Sequence, residues 1–368
     1  LIPVGARKEF WVITSYFNPC GYETRRRNFE LFRAGVERAG VPLLAVECAF
    51  GRTPFALGRS RGVVRVRGRS VMWQKERLLN VALSRLPTGC RKVAWVDCDV
   101  LFENGTWAAE AADALDEVPV VQLFDRVVRL PPGESADAGS GHAYAGFVSR
   151  YLRDPSAPRL TDFDAHGHTG FAWAARRELL ERHGLYDACV AGSGDHVMAH
   201  ALCGAGARDG CVRRTLGRAT PHLRHFAEWC RRLRRDVRGR VGFVPGKLLH
   251  LWHGDKRNRR YLGRNRRLAA YGFDPARDLR LNPTGCWEWA SDKPELRRWL
   301  VEYFEGREED GARRRRPLAS NVGDNGRREA AGDIVMANYD GAVDVGGYAC
   351  AGVLDEDDED DAVGGPDS

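Results

Sequence analysis

The sequence predicts an α/β fold, a mostly parallel sheet flanked by helices, followed by a disordered acidic C-terminal tail. Three observations predict it. Apolar runs of strand character alternate with segments of helical spacing through the first 130 or so residues, which is how strand–helix–strand units read. The chain has 368 residues, 43% of them hydrophobic, with ten tryptophans, enough material for a sizeable core. From Pro317 the composition shifts to Gly, Ala and Asp and ends in the acidic block 355–361, which cannot bury enough apolar surface to order itself. The expected layout is one domain over 1–306, in halves of about 8–130 and 131–306, then an Arg-rich linker and tail over 307–368.

Each element has a local reason. Residues 10–17 read as a first buried strand, broken by Asn18-Pro19. Residues 25–39 carry helical spacing at Phe29, Phe32 and Val36 and stop at Gly40. Residues 42–47 are a second strand, 73–86 an amphipathic helix, 92–102 a strand run, 106–115 a helix and 118–123 another strand. The stretch 131–145, rich in Gly, Ser and Asp, reads as a mobile loop. Beyond it come a strand at 170–174, a helix at 176–183 and a glycine turn into a helix at about 195–202. A late strand at 247–252 and a closing helix at 296–304 complete the pattern, with no internal repeat.

Of the 57 basic and 50 acidic residues the tail from 317 holds 2 and 13, so the rest carries 55 against 37, a net charge of +18. So basic a body favours anionic ligands such as nucleotide phosphates, nucleic acid or an acidic surface. No apolar stretch reaches the roughly 18–20 residues that span a bilayer, and no signal peptide is visible. The ten cysteines are scattered without a Cys-x-x-Cys pair, as in reduced cytoplasmic proteins.

Chemistry concentrates at Asp97-Cys98-Asp99, at the end of an apolar run. Alternation along a strand puts both carboxylates on one face. They repel each other unless a divalent cation sits between them and a phosphate, and strand carboxyl ends are where α/β sheets bind ligands. Asp-x-Asp is short, and it also reads as a plain acidic turn. His250 and His253, three apart at a strand end, can offer two neutral imidazoles to one metal, or form an interfacial pair. In Gly192-Ser193-Gly194-Asp195-His196 a glycine turn enters a helix, and Asp195 is either a helix cap or a base for an acceptor hydroxyl. In the helix that starts at Trp73, Leu78, Leu79 and Val81 are core, while Trp73 and Lys75 are placed to stack on a base or touch a phosphate.

In this order the segments resemble the metal-dependent GT-A glycosyltransferases, whose fold is Rossmann-like. The likeness is to the β-1,4-galactosyltransferase group most closely, and also to the polypeptide N-acetylgalactosaminyltransferases. The matching segments are Arg25-Arg26-Arg27-Asn28, Trp73-x-Lys75 with Leu78-Leu79-Asn80-Val81, Val96-Asp97-Cys98-Asp99-Val100, Thr169-Gly170-Phe171 through Gly194-Asp195, and His250-x-x-His253-Gly254-Asp255-Lys256-Arg257-Asn258, spanning about 10–260. The resemblance implies a nucleotide-binding first half and an acceptor- and metal-binding second half. It implies Mn²⁺ or Mg²⁺ at Asp97, Asp99, His250 and His253, with Asp99 the direct ligand and Asp97 on the ribose or reaching the metal through water. A UDP-sugar donor would be contacted by Thr14, Tyr16, Arg25, Arg27, Trp73, Lys75, Asp97 and Lys256. Asp195 or His196 would act on the hydroxyl of a glycan, protein or small-molecule acceptor. The loop 131–145 and the segment 253–261 would order over the donor.

The chain departs from that family at the turn before Asp195, where the family has Trp-Gly-Gly-Glu, which leaves the choice between Asp195 and His196, and between inverting and retaining chemistry, open. Other classes share parts of the pattern. A nucleotidyltransferase would need a glycine-rich basic loop after the first strand, where Tyr16-Phe17-Asn18-Pro19 stands. A nucleic-acid-binding protein would explain the basic body and the runs 231–235 and 313–316, but no such motif accompanies them, and arginine runs also form solvated helix faces. A domain of this fold that has lost activity is the third alternative.

Overall fold

The computed structural model describes residues 9–139, 143–157 and 166–311; the expected tail from 317 lies outside them. A seven-stranded sheet organises the chain. Its strands are β1 (Phe10–Tyr16), β2 (Leu43–Phe50), β3 (Val63–Gly68), β4 (Lys92–Val96), β6 (Val120–Gln122), β9 (Ala172–Arg176) and β10 (Val241–Phe243), in the order β10-β6-β9-β4-β1-β2-β3. Six strands run one way, and β9 alone runs against β4 and β6. The fold is therefore α/β with a mixed, mostly parallel sheet. A smaller sheet, β5-β11-β7-β8, joins β5 (Val100–Phe102), β7 (Arg126–Arg129), β8 (Ala143–Ala145) and β11 (Lys247–His250), and β12 (Leu279–Leu281) pairs with β13 (Trp287–Trp289).

Strand alternation sends side chains into two separate apolar layers. Phe10, Val12 and Tyr16 of β1 and Ala94 and Val96 of β4 pack under the helices α1 (Glu23–Arg38) and α3 (Trp107–Glu117). Ile13, Val93 and Trp95 face the opposite layer, covered by α2 (Lys75–Leu83) and the later helices. Those are α4 (Phe147–Arg153), α5 (Arg177–His183), α6 (Gly194–Leu202), α7 (Gly210–Leu216), α8 (Pro221–Val237), α9 (Tyr261–Ala270) and α10 (Pro294–Glu305).

The structure corrects or refines the sequence reading in four places. The run 92–102 is two strands in two sheets, because the chain turns at Asp97–Asp99 between β4 and β5. The loop expected at 131–145 ends in β8, and Asp137 is anchored by Lys247 Nζ at 2.7 Å. The arginine run 231–235 lies on α8, whose inner face is Leu223, Phe226, Trp229, Cys230, Leu233 and Val237, while Arg231, Arg232, Arg234 and Arg235 face solvent. The domain also continues past 306. Arg307 and Glu309 are buried, and Asp310 accepts the Glu23 and Thr24 amides at the start of α1 at 3.0 and 2.9 Å. The nine described cysteines are thiols, and among the described residues no helix is long and apolar enough to cross a membrane.

Candidate functional site

The turn between β4 and β5 gives its two aspartates different neighbours. Asp97 continues the parity of Val93 and Trp95, so it leaves the sheet on the side of α2 and meets Lys75 Nζ in a buried ion pair. Its amide donates to the Phe171 carbonyl at 2.8 Å. Phe171 is held there at φ +75°, a left-handed conformation disfavoured for a bulky residue, and its ring lies 4.7 Å from that of His250. Asp99 is turned instead toward the end of β11.

Asp99, His250 and His253 form the first centre. Their ligand-capable atoms all lie within 4.8 Å of one another, and all three side chains are buried. His253 Nε2 is 3.2 Å from Asp99 Oδ2, His250 Nε2 is 4.0 Å from Asp99 Oδ1, and the two Nε2 atoms are 3.1 Å apart. Burial and the Arg259 guanidinium push the His253 imidazole down to about 3, so it is neutral, as a metal ligand must be. Arg259 Nη2 lies within hydrogen-bond distance of both His253 ring nitrogens, 2.8 Å from Nδ1 and 3.1 Å from Nε2, and donates to the His253 carbonyl at 2.9 Å. Coordination through Nε2 needs the ring proton on Nδ1, which faces Glu309 Oε2 at 3.8 Å.

A carboxylate cluster lies on the other side of Lys75. Lys75 Nζ also lies 3.6 Å from Asp195 Oδ2. Burial disfavours its ammonium, but Asp97, Asp195 and Glu76 outweigh burial and hold it charged. Burial drives the Asp195 carboxyl well above its ordinary range, Lys75 only partly opposing, and raises Glu76 to about 7. The glycine turn makes this crowding possible. A Cβ on Gly194 would sit 2.5 Å from Glu76 Oε1, and one on Gly192 (φ +93°) 2.9 Å from Arg264 Nη2. Between them Ser193 is held at φ +76°, its hydroxyl accepting from Arg264 and Asn265 at 3.0 Å each.

The remaining expected residues fall out differently. Asp97 lies outside the Asp99 ligand group, and Lys75 holds it. Trp73 is 1% exposed, stacked on Phe304, with Arg264 and Arg307 over its rings, so a base has no open face to stack on. Lys75 touches carboxylates and is shut off from solvent. Thr14 Oγ1 donates to the Val96 carbonyl at 2.7 Å, tying β1 to β4, and Tyr16 packs edge-on against Phe29 in the core. Arg25 is buried and paired with Glu309, while Arg27 is exposed. Lys256 is half-buried, its ammonium over the Tyr144 ring. His196 faces His166 and His200, in a group separate from Asp99, while its neighbour Asp195 faces Lys75.

The sequence reading missed Glu76, Arg259 and Glu309. Glu76 stands next to Lys75 in a segment already singled out, and its signal was a charge on the inward face of a helix. Glu309 had no local signal, since it lies in what reads as the start of a charged linker. Burial alone would raise its carboxyl, but Arg25 and Arg307 outweigh burial and hold it well below the usual range.

No family model matches the chain, and no curated protein matches it. Solved structures do. The catalytic domain of Drosophila beta1,4-galactosyltransferase 7 in complex with xylobiose is 10% identical over 79% of this chain and 98% of that one, with a TM-score of 0.36. A mutant of the same enzyme in complex with manganese, UDP-Gal and xylobiose is 13% identical over 52% and 59%, with a TM-score of 0.30. The 4-diphosphocytidyl-2C-methyl-D-erythritol synthase of Anaerococcus prevotii is 11% identical over 66% and 88%, with a TM-score of 0.32. At such identities and TM-scores the chemistry of this chain has to be read from its own residues.

Proposed function

We propose that this chain is a metal-dependent glycosyltransferase that moves a sugar from a nucleotide-sugar donor to an acceptor hydroxyl. The donor would be a UDP-hexose or UDP-N-acetylhexosamine. The observation that carries the reading is the convergence of Asp99, His250 and His253 at the carboxyl end of β4, with Asp195 and Glu76 across Lys75 from them. Asp99, His250 and His253 would hold the metal, and two imidazoles with one carboxylate suit Mn²⁺ better than the oxygen-loving Mg²⁺. The bound cation supplies the positive charge that a departing diphosphate needs.

The chain's own groups do the rest. Lys75 pairs with Asp97 and holds it in place beside the metal ligands. Glu309, held by Arg25 and Arg307, faces His253 Nδ1 and would favour the tautomer that coordinates through Nε2. Asp195 is the base for the acceptor hydroxyl: it is buried beside Lys75, and burial raises its carboxyl above the ordinary range, which makes the carboxylate a better proton acceptor.

The test is release of UDP from a panel of UDP-sugars by the purified full chain with Mn²⁺, with and without acceptors. Mn²⁺-dependent release that Asp99→Ala abolishes supports the reading. Release unaffected by Asp99→Ala, or no release from any UDP-sugar while a nucleoside triphosphate and a sugar phosphate yield pyrophosphate, overturns it.

A further inference from the structure

A second cluster of metal-ligating side chains lies behind the helix that carries Asp195. His166 precedes β9, His200 is on α6 and Cys211 is near the start of α7, and their ligand-capable atoms also lie within 4.8 Å of one another. All three are buried, at 1%, 0% and 2% exposure. We propose that His166, His200 and Cys211 form a structural Zn²⁺ site distinct from the Asp99 centre.

The orientation of the donors supports this. His166 Nδ1 faces the Gly167 carbonyl at 2.7 Å, so Nδ1 carries the proton and Nε2 the lone pair. Neither ring nitrogen of His200 makes a hydrogen bond, although the residue has no solvent contact. Its Nδ1 lies 3.3 Å from Asp209 Oδ1, which leaves Nε2 as the ligand and gives it a carboxylate partner. Asp209 is itself fixed by accepting the Cys211 and Val212 amides at 2.9 and 3.1 Å. Burial also keeps His200 and its neighbour His196 neutral.

Two imidazoles and a thiolate are a softer donor set than the Asp99 centre and suit zinc. Binding releases the Cys211 proton to solvent, and the thiolate leaves the bound site with a single net positive charge, which Asp209 balances. Without a metal the same rings would be only an aromatic cluster, in which His166 and His200 lie 5.4 and 5.0 Å from Phe147. With one, three chain segments are clamped together and α6 is held from behind its Gly194-Asp195 end.

The test is metal analysis of the full chain after loading with Zn²⁺ and extensive dialysis, and the absorption spectrum after loading with Co²⁺. In Asp99→Ala, which removes a ligand from the first centre, one zinc per chain should persist, and it should disappear when His200→Ala or Cys211→Ser is added. Cobalt should give a sulfur-to-metal charge-transfer band that survives Asp99→Ala and is lost in Cys211→Ser. The cobalt spectra of the unsubstituted protein and of Asp99→Ala are informative even if the His200 and Cys211 variants fail to fold. Absence of the sulfur band in those two proteins, or its persistence in Cys211→Ser, overturns the proposal.

Discussion

The two buried clusters use similar residues in opposite surroundings. Asp99, His250 and His253 sit where the parallel strands end, among charges: Arg259 against the His253 ring, Glu309 behind it, Arg25 and Arg307 behind Glu309, and Lys75 nearby. His166, His200 and Cys211 sit in the helical layer among rings, with the Asp209 carboxylate 3.3 Å from His200. On the readings proposed above, the same side-chain types would serve for chemistry in one place and for fastening in the other.

That contrast can be broken in several ways. Neutralising Glu309 should do most damage, because it strands Arg25 and Arg307 as buried charges. Glu309→Gln should cost about 3–5 kcal/mol of stability, read as a lower urea midpoint, and weaken Mn²⁺ binding roughly 10- to 100-fold. Zinc should stay bound in the fraction that remains folded, and equal loss of both metals would erase the distinction.

The carboxylate cluster should also give the protein a pH signature that the histidine cluster cannot. Glu76 titrates near 7 in the folded chain against an ordinary value of 4.5. The folded state therefore binds the extra proton, and stability falls as pH rises through this window, by about 3 kcal/mol in all. In metal-free protein, Glu76→Gln should flatten that fall. The depressed imidazoles of His196 and His200 act the other way, since stability is lost as pH drops below the ordinary histidine value. A melting profile unchanged by Glu76→Gln would show that the cluster does not titrate there.

Asp99→Ala should lower UDP-sugar turnover roughly a hundredfold, about 2.7 kcal/mol of barrier, with little change in melting temperature beyond the lost Mn²⁺ stabilisation. The smallest effect separates a structural residue from a ligand contact. Thr14→Val removes the bond to the Val96 carbonyl and should cost about 1 kcal/mol, with turnover and KM for the donor unchanged. A raised KM would return Thr14 to the donor site.

Much of the fold was legible because period and parity are local properties. β1, β2, α1 and α10 fall close to their predicted places, since Phe29, Phe32 and Val36 or the alternation through 10–16 declare themselves within a dozen residues. α8 was hidden behind its arginines, although its apolar stripe has helical spacing. In the site, Asp99 and the His250/His253 pair were legible because two residues in one short segment meet a third at a sheet edge. The His166–His200–Cys211 group was not, because its ligands come from three elements at no motif spacing. The surroundings of Trp73 and Arg25 were hidden for a related reason. The sequence shows that they lie on a helix near the strand ends, but only the packing of α10 and the segment after it shows that their faces are already covered.

That last segment has a consequence for how the protein comes together. The Arg25–Glu309 contact joins residues 284 apart in the sequence, and the neighbouring Tyr22–Glu305 and Thr24–Asp310 hydrogen bonds span 283 and 286. Loop closure of that length carries its entropy cost before any contact rewards it. The strand-end centre is therefore finished late. During synthesis Arg25 lacks its Glu309 partner until the chain has emerged through residue 309. The surroundings of Asp99 and His253 are complete only when nearly the whole described chain is already in place.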